Sequence, residues 1–240
     1  LDLAFRGTGL ILGNSHEEGK TIHGLNLTIG VPEKLPFEKI NGISLGLLGP
    51  YANEFNGIAA GLLYVHGYPE GIIRGLAFGG LAVDAEEIWG AAFSGGPMVY
   101  DRFRGIALGF LGMGGLARSS ESIIGLAVNG IWIEADEFKG IGFALAHAIA
   151  KKEMTGLMIG VVRTDIGRVN GVAIGGGMMN AVSVRGLSIG GLNRSDELNG
   201  ISIGLVNMTK NLRGLQVGFL NYAGNNPRLL RWLPFINAHF

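Results

Sequence analysis

An all-β fold made of tandem strand–turn repeats of about fifteen residues is predicted from three observations. First, the segment Asp196-Glu-Leu-Asn-Gly-Ile-Ser-Ile-Gly-Leu-Val-Asn207 recurs with conservative changes, its first glycine falling at Gly42, Gly57, Gly75, Gly90, Gly105, Gly125, Gly140, Gly156, Gly171, Gly186, Gly200 and Gly214. Self-similarity of this period marks a repeat architecture. Second, the unit alternates with period two: Asn199, Ile201, Ile203, Leu205 and Asn207 share one face, and Leu198, Gly200, Ser202, Gly204 and Val206 the other. That is a strand pattern. Third, the seven positions that start at each of these glycines hold no Asp, Glu, Lys or Arg. A soluble sheet with one wet face should carry charge there, so the expectation is that both faces are shielded.

Residues Leu3 to Gly13 and Thr21 to Val31 read as two opening strands joined by the polar turn Asn14-Ser-His-Glu-Glu-Gly19. The prolines of Val31-Pro32 to Leu35-Pro36 interrupt regular structure, because each removes a ladder donor. From Glu38 each copy opens with charge or polarity (Glu38, Glu54, Glu87, Asp101, Asp136 with Glu137, Glu153, Asp196 with Glu197), which marks the turns. A bulky residue follows two places before the glycine: Ile40, Phe55, Ile73, Phe103, Phe138, Leu198 and Leu212. Longer connections fall at His66 to Gly71 and Gly112 to Ser122, and Arg231 to Phe240 reads as a final alternating strand. The chain therefore divides into atypical opening strands (1–36), the repeat array (37–222) and a closing strand (223–240), within one β domain spanning 1–240. A helical membrane bundle built on Gly-xxx-Gly spacing is disfavoured, since glycine costs roughly 1 kcal/mol against alanine in a helix and the apolar blocks are too short to span a bilayer.

Two architectures shield both faces. The main expectation is a closed antiparallel outer-membrane β-barrel of roughly 14–16 strands, each of the 9 to 11 residues that a tilted membrane strand needs. Its Ile/Leu face meets lipid and its small face lines a crowded lumen; residues 229–240 then pair with Leu3 to Gly13 to close it. The alternative is a parallel β-solenoid whose rungs stack around the Ile/Leu face. Same-direction resemblance between neighbouring copies favours the solenoid, as do Asn193, Asn207 and Asn221 at one repeat position, which suit a stacked ladder. Both arrangements put Leu187, Ile189, Ile201, Ile203, Leu215 and Val217 on one surface.

Composition narrows the function classes. With 43 Gly, 16% charged residues and net charge +0, nothing in the chain attracts nucleic acid. Absence of cysteine excludes disulfides and thiolate metal sites. The start, Leu1-Asp-Leu-Ala-Phe-Arg6, lacks the basic and apolar regions of a signal peptide, so an exported protein would be present here in mature form.

Several motifs imitate chemistry. Gly42-Ile-Ser-Leu-Gly46, Gly186-Leu-Ser-Ile-Gly190 and Gly200-Ile-Ser-Ile-Gly204 match the nucleophile-elbow pattern, but equivalent copies carry Ala59, Ala77, Ala107, Met158 and Gln216, so Ser44, Ser188 and Ser202 read as strand residues. Gly112-Met-Gly114-Gly-Leu-Ala117 lacks the βαβ context of a dinucleotide loop and reads as a turn. His16-Glu17-Glu18 has metal-ligand chemistry but reads as a solvated turn; His23, His66, His147 and His239 are dispersed, with no fixed spacing to a carboxylate pair. No catalytic residue, cofactor or metal site is assigned. Trp89, Trp132, Trp232, Phe55, Tyr64, Phe103 and Phe138 form either an interfacial girdle or caps on a hydrophobic core.

The runs Asn199-Gly-Ile-Ser-Ile-Gly-Leu-Val-Asn207 and Arg213-Gly-Leu-Gln-Val-Gly-Phe-Leu-Asn-Tyr222, with the ending Leu233-Pro-Phe-Ile-Asn-Ala-His-Phe240, resemble the bacterial "surface repeat-containing" proteins of spirochaetes and Bacteroidetes. The likeness covers about Gly24 to Phe240; Gly90-Ala-Ala-Phe-Ser-Gly95 and Gly140-Ile-Gly-Phe-Ala-Leu145 depart from its pattern. It implies the outer envelope of a Gram-negative-type cell and no particular activity. The expected function is a non-enzymatic outer-membrane structural component or narrow conduit, with membrane lipid and other envelope proteins as partners. The alternative is a β-solenoid interaction scaffold, secreted or membrane-associated.

Overall fold

The computed structural model describes residues 3–6, 9–16, 21–29, 38–114 and 120–240, with the side chains of 3–16 and 68–70 outside that description. The chain divides into two compact units, Leu1–Ser120 and Glu121–Phe240. Both are parallel β-solenoids, not barrels. In the first, Thr21–Thr28, Lys39–Gly46, Tyr51–Gly61, Tyr64–Gly79, Glu87–Ser94 and Arg102–Gly109 pair in parallel, with Gly24 against Gly42, Gly42 against Gly57, Gly57 against Gly75, and Gly90 against Gly105. In the second, Ser122–Asn129, Trp132–Ala144, His147–Gly160 and the start of Arg163–Ala223 do the same, aligning Gly125, Gly140, Gly156 and Gly171. Within each unit a repeat glycine thus lies beside the preceding one, which is the geometry of a coil advancing one strand spacing per turn. Among the described residues no helix is long and apolar enough to cross a membrane.

Why the repeat needs glycine is visible at Gly200 and Gly214. Their φ angles are 143° and 138°, where side chains are strained. A Cβ on Gly200 would also collide with the carbonyl oxygen of Gly186, and one on Gly214 with that of Gly200. The same conformation recurs from Gly24 onward at every repeat glycine. By strand alternation the residue two before and the residue two after the glycine share one face, and both are buried in the coil.

That face is the inside of the coil. The inner columns are the bulky residues before the glycine (Phe55, Ile73, Ile88 and Phe103 in the first unit; Ile123, Phe138, Met154 and Leu198 in the second) and the small ones after it (Ala59, Ala77, Ala92 and Ala107; Ala127, Ala173 and Ser202). Large and small alternate because the interior is narrow: a Cβ at Gly142 would press on the Phe138 ring. The opposite wall is built from Val65, Val83 and Met98 in the first unit and Ile133, Ala148 and Thr164 in the second. Burial of this wall and the two columns supplies the main favourable term for each unit.

Several sequence expectations are corrected here. The Ile/Leu face is neither core nor shielded; it is the outer surface of the coil. Residues Leu3–Arg6 and Gly9–His16 form an antiparallel pair instead of one strand, with Leu3 beside Leu12, and Gly9–His16 pairs antiparallel with Thr21–Thr28. The closing strand Trp232–His239 does not meet the opening one. It folds back antiparallel on the last rung, His239 beside Gly214 and Ile236 beside Val217, after the 3-10 turn Arg228–Leu230. Its register shifts between Gly218 and Asn221, next to Pro234, which has no N–H, and Phe235, whose φ is 64°. Thus each end strand turns back on its own unit and no barrel closure is made. The expected break at Val31 to Pro36 lies outside the described residues, as does most of the turn after Gly114.

Candidate functional site

The outer sheet face is the first candidate. Each rung presents the first and third residues after its glycine outward, followed by apolar corner residues. In the second unit Ile201 is 42% and Ile203 41% exposed, with Ile141, Leu145, Val161, Val162, Leu205 and Phe219 also exposed; Phe219 reaches 72%. Leu187, Ile189, Leu215 and Val217 sit half-buried on the same face, so these six residues share one surface as their phase requires. The first unit repeats the pattern with Ile43, Leu45, Ile58, Leu62, Phe78 and Phe110. Charge is absent from this band by sequence, and the structure leaves it open. A contiguous apolar surface of this kind marks an interaction site.

One edge of the band is the position just before each glycine. In the first unit it holds His23, Asn41, Asn56, Arg74, Trp89 and Arg104; in the second, Ile124, Lys139, Thr155, Asn170, Arg185, Asn199 and Arg213. Neither row contains a carboxylate. Trp89 lies between two cations, its ring centre 5.8 Å from the Arg74 guanidinium and 5.4 Å from that of Arg104, an arrangement that adds cation–π attraction.

The residues that imitate catalysis are turned inward. Ser44, Ser188 and Ser202 are buried; Asn26 donates to Ser44 over 2.8 Å, and Ser202 donates to Asn207 over 2.8 Å. The aromatic residues divide: Phe55, Phe103 and Phe138 are core, whereas Tyr64, Trp89 and Trp232 are exposed and Trp132 half-buried. Glu17 and Glu18 lie outside the described residues, as does the side chain of His16.

The expected asparagine ladder forms within the coil. Asn193 donates to Asn207 and Asn207 to Asn221, each over 2.7 Å. The free N–H of each amide also reaches the strand opposite: Asn193 the carbonyl of Ile203 at 2.8 Å, Asn207 that of Val217 at 3.0 Å. Thr164 serves the same corner in an earlier rung, donating to Ile174 over 2.7 Å and accepting from Gly160 over 3.0 Å. Ser195 and Thr209 add a second rung-to-rung hydroxyl contact of 2.8 Å. Buried polar groups of this kind are tolerated because they are paired.

Sequence reading missed two clusters. Histidines do meet carboxylates: His66 Nδ1 is 3.2 Å from Asp84, and His147 Nε2 is 2.5 Å from Asp165. Asp165 also accepts from Arg163 at 2.6 Å and from Asn180 at 2.8 Å. Burial would raise its pKa, but the hydrogen bonds from Arg163, Asn180 and His147 outweigh that and hold the carboxyl below its ordinary range. The available signal was positional: these side chains stand at neighbouring places on adjacent rungs.

The second cluster is a polar cleft of about 700 Å³ at the last rungs, where Arg185, Glu197, Asn199, Asn211, Arg213 and His239 come together. Arg185, Asn199 and Arg213 are one column on successive rungs. Elsewhere, cations of one rung pair with carboxylates of a neighbour, as Lys39 with Glu54 at 3.1 Å, Arg168 with Glu153 at 3.2 Å and Lys210 with Asp196 at 2.8 Å. Arg74 with Glu54 and Arg102 with Glu87 follow the same rule. Searched against family models, curated proteins and solved structures, the chain matches none.

Proposed function

We propose that the protein is a non-enzymatic β-solenoid scaffold that lies on a membrane surface of the bacterial outer envelope through the uncharged outer face of its rungs. The observation that carries this reading is the open band of Ile, Leu, Val and Phe, repeated rung after rung, with no charge from the glycine to six residues beyond it. Backbone chemistry supports lipid as the occupant. Strands inside a parallel stack have their N–H and C=O groups paired in the plane of the sheet, so laying the face on hydrocarbon leaves few polar groups without partners. Charge supports it too: of the edge cations Arg74 is paired with Glu54 and Lys139 stands 3.9 Å from Glu137, while Arg104, Arg185 and Arg213 are complementary to an anionic leaflet at about 1 kcal/mol for each basic residue near the surface. The resemblance to surface repeat-containing proteins supplies the envelope setting.

The test is flotation of the full chain with vesicles of phosphatidylcholine and phosphatidylglycerol. The wild type should rise with the vesicles, and the Ile201→Glu, Ile203→Glu double variant should stay at the bottom with unchanged circular dichroism. A wild-type protein that ignores vesicles and sediments as a stable dimer would mean that a second copy covers the face, and the membrane reading would fail.

A further inference from the structure

We propose that the cleft formed by Arg185, Asn199, Arg213 and Glu197 binds a phosphate monoester carried on a sugar or polyol. Ion pairs flank this cleft, as Lys210 with Asp196 at 2.8 Å, without including its arginines. Among the described residues Arg185 and Arg213 have no carboxylate within ion-pair distance and no side-chain hydrogen-bond partner, although Glu197 lines the same cleft. Two long cations left unpaired beside an unpaired carboxylate are the arrangement of a site awaiting a ligand with both an anionic and a hydroxyl-bearing part.

The column spacing fits the anionic part. Arg185 and Arg213 flank Asn199 on alternate rungs, so their backbones stand roughly 10 Å apart at about 4.8 Å per rung. Side chains of arginine length can span that gap to reach one group between them, and both residues line the cleft. Guanidinium forks match phosphate oxygens in pairs of hydrogen bonds. Among the charged side chains that line the cleft, the two arginines outnumber the one glutamate, which favours an anion.

The remaining lining fits the hydroxyl-bearing part. Glu197 accepts from hydroxyls, and the Asn199 and Asn211 amides both donate and accept. His239 comes from the fold-back strand, where its Nδ1 contacts Asn226 Oδ1 at 2.7 Å, a bond that fixes the ring at the wall of the cleft. The volume, about 700 Å³, falls within the range of small-molecule sites. This inference is independent of what covers the apolar face.

Isothermal titration of the full chain with glucose 6-phosphate, inorganic phosphate and glucose tests it, alongside binding to phosphatidylcholine vesicles containing phosphatidylinositol 4-phosphate or phosphatidylinositol. Expected results are saturable binding of glucose 6-phosphate, weaker binding of inorganic phosphate and none of glucose. Arg185→Gln and Arg213→Gln should each weaken glucose 6-phosphate at least about tenfold, and Arg194→Gln, outside the cleft, should leave it unchanged. If only the phosphorylated vesicle is preferred, and that preference is lost in Arg185→Gln and Arg213→Gln but kept in Arg194→Gln, the phosphate source is a lipid headgroup and the site stands. Absence of phosphate-dependent binding in both arms, or equal loss in Arg194→Gln, would overturn the proposal. Because the Ile201→Glu, Ile203→Glu variant alters only the apolar face, and Arg185→Gln and Arg213→Gln only the cleft, failure of one reading leaves the other intact.

Discussion

Asn193 Nδ2 donates to Asn207 Oδ1 over 2.7 Å across a sequence separation of 14 residues. One rung of the coil therefore hydrogen-bonds to the next through identical side chains inside the core. Asn207 is the middle member, also donating to Asn221 and accepting from Ser202. Its replacement by alanine leaves several buried donors and acceptors without partners, each costing about 1–3 kcal/mol. Asn207→Ala should therefore lower the free energy of unfolding by at least that amount in a urea titration. Asn193→Ala should cost less, because Asn193 is the end of the ladder: the preceding rung places Met179 there, and the Asn193 Oδ1 is unpaired among the described residues.

Gly200→Ala should destabilise the protein strongly. The positive φ alone costs about 1–3 kcal/mol for a residue with a side chain, and the added Cβ meets the Gly186 carbonyl. Ser202→Ala, two residues away, should cost under about 1.5 kcal/mol, a typical hydrogen bond, since Ala59, Ala77 and Ala107 occupy the equivalent place. A thermal unfolding comparison of the two variants checks both expectations.

Ile203→Arg separates the outer face from a core position. Ile203 is 41% exposed, so the arginine head reaches water and stability in buffer should change by no more than about 0.5 kcal/mol. Binding to vesicles should fall. A loss of several kcal/mol in buffer would instead place Ile203 in the interior.

The Asp165 cluster predicts acid sensitivity. Its folded-state pKa lies below its unfolded value, so its contribution is complete above the unfolded pKa and is lost as pH falls through the depressed folded one. Urea midpoints should therefore drop on acidification through the carboxylate range, and Asp165→Asn should flatten that dependence. At neutral pH the same variant should be less stable than wild type.

The repeat glycines and the polar column at Asn193, Asn207 and Asn221 were legible in the chain, because a repeat displays each structural position many times over, whereas Glu54, Asp136, Glu137, Glu153, Asp196 and Glu197, read as turn markers, lie within strands. Even the common surface of Ile201 and Ile203 follows from alternation. What alternation does not contain is a direction: period two says that two faces differ, and a parallel rung and an antiparallel barrel strand satisfy it equally. Tertiary structure decided that question through the glycine. Gly200, at a φ of 143°, stacks on the Gly186 carbonyl of the preceding rung, and the face that Leu198 and Ser202 share by alternation is the buried one, with Ile201 and Ile203 outward. Hydrophobicity alone pointed the other way, since it ranks an Ile face above a Ser and Gly face for burial. After the glycine the interior takes mostly small residues, because large ones from before it fold over them, as Phe138 does at Gly142, although Met158 and Gln216 are also accommodated in that column. Likewise the meeting of Arg185, Glu197, Arg213 and His239 depends on stacking consecutive rungs and folding the last strand back on them, a superposition of distant positions that exists only once the coil has closed.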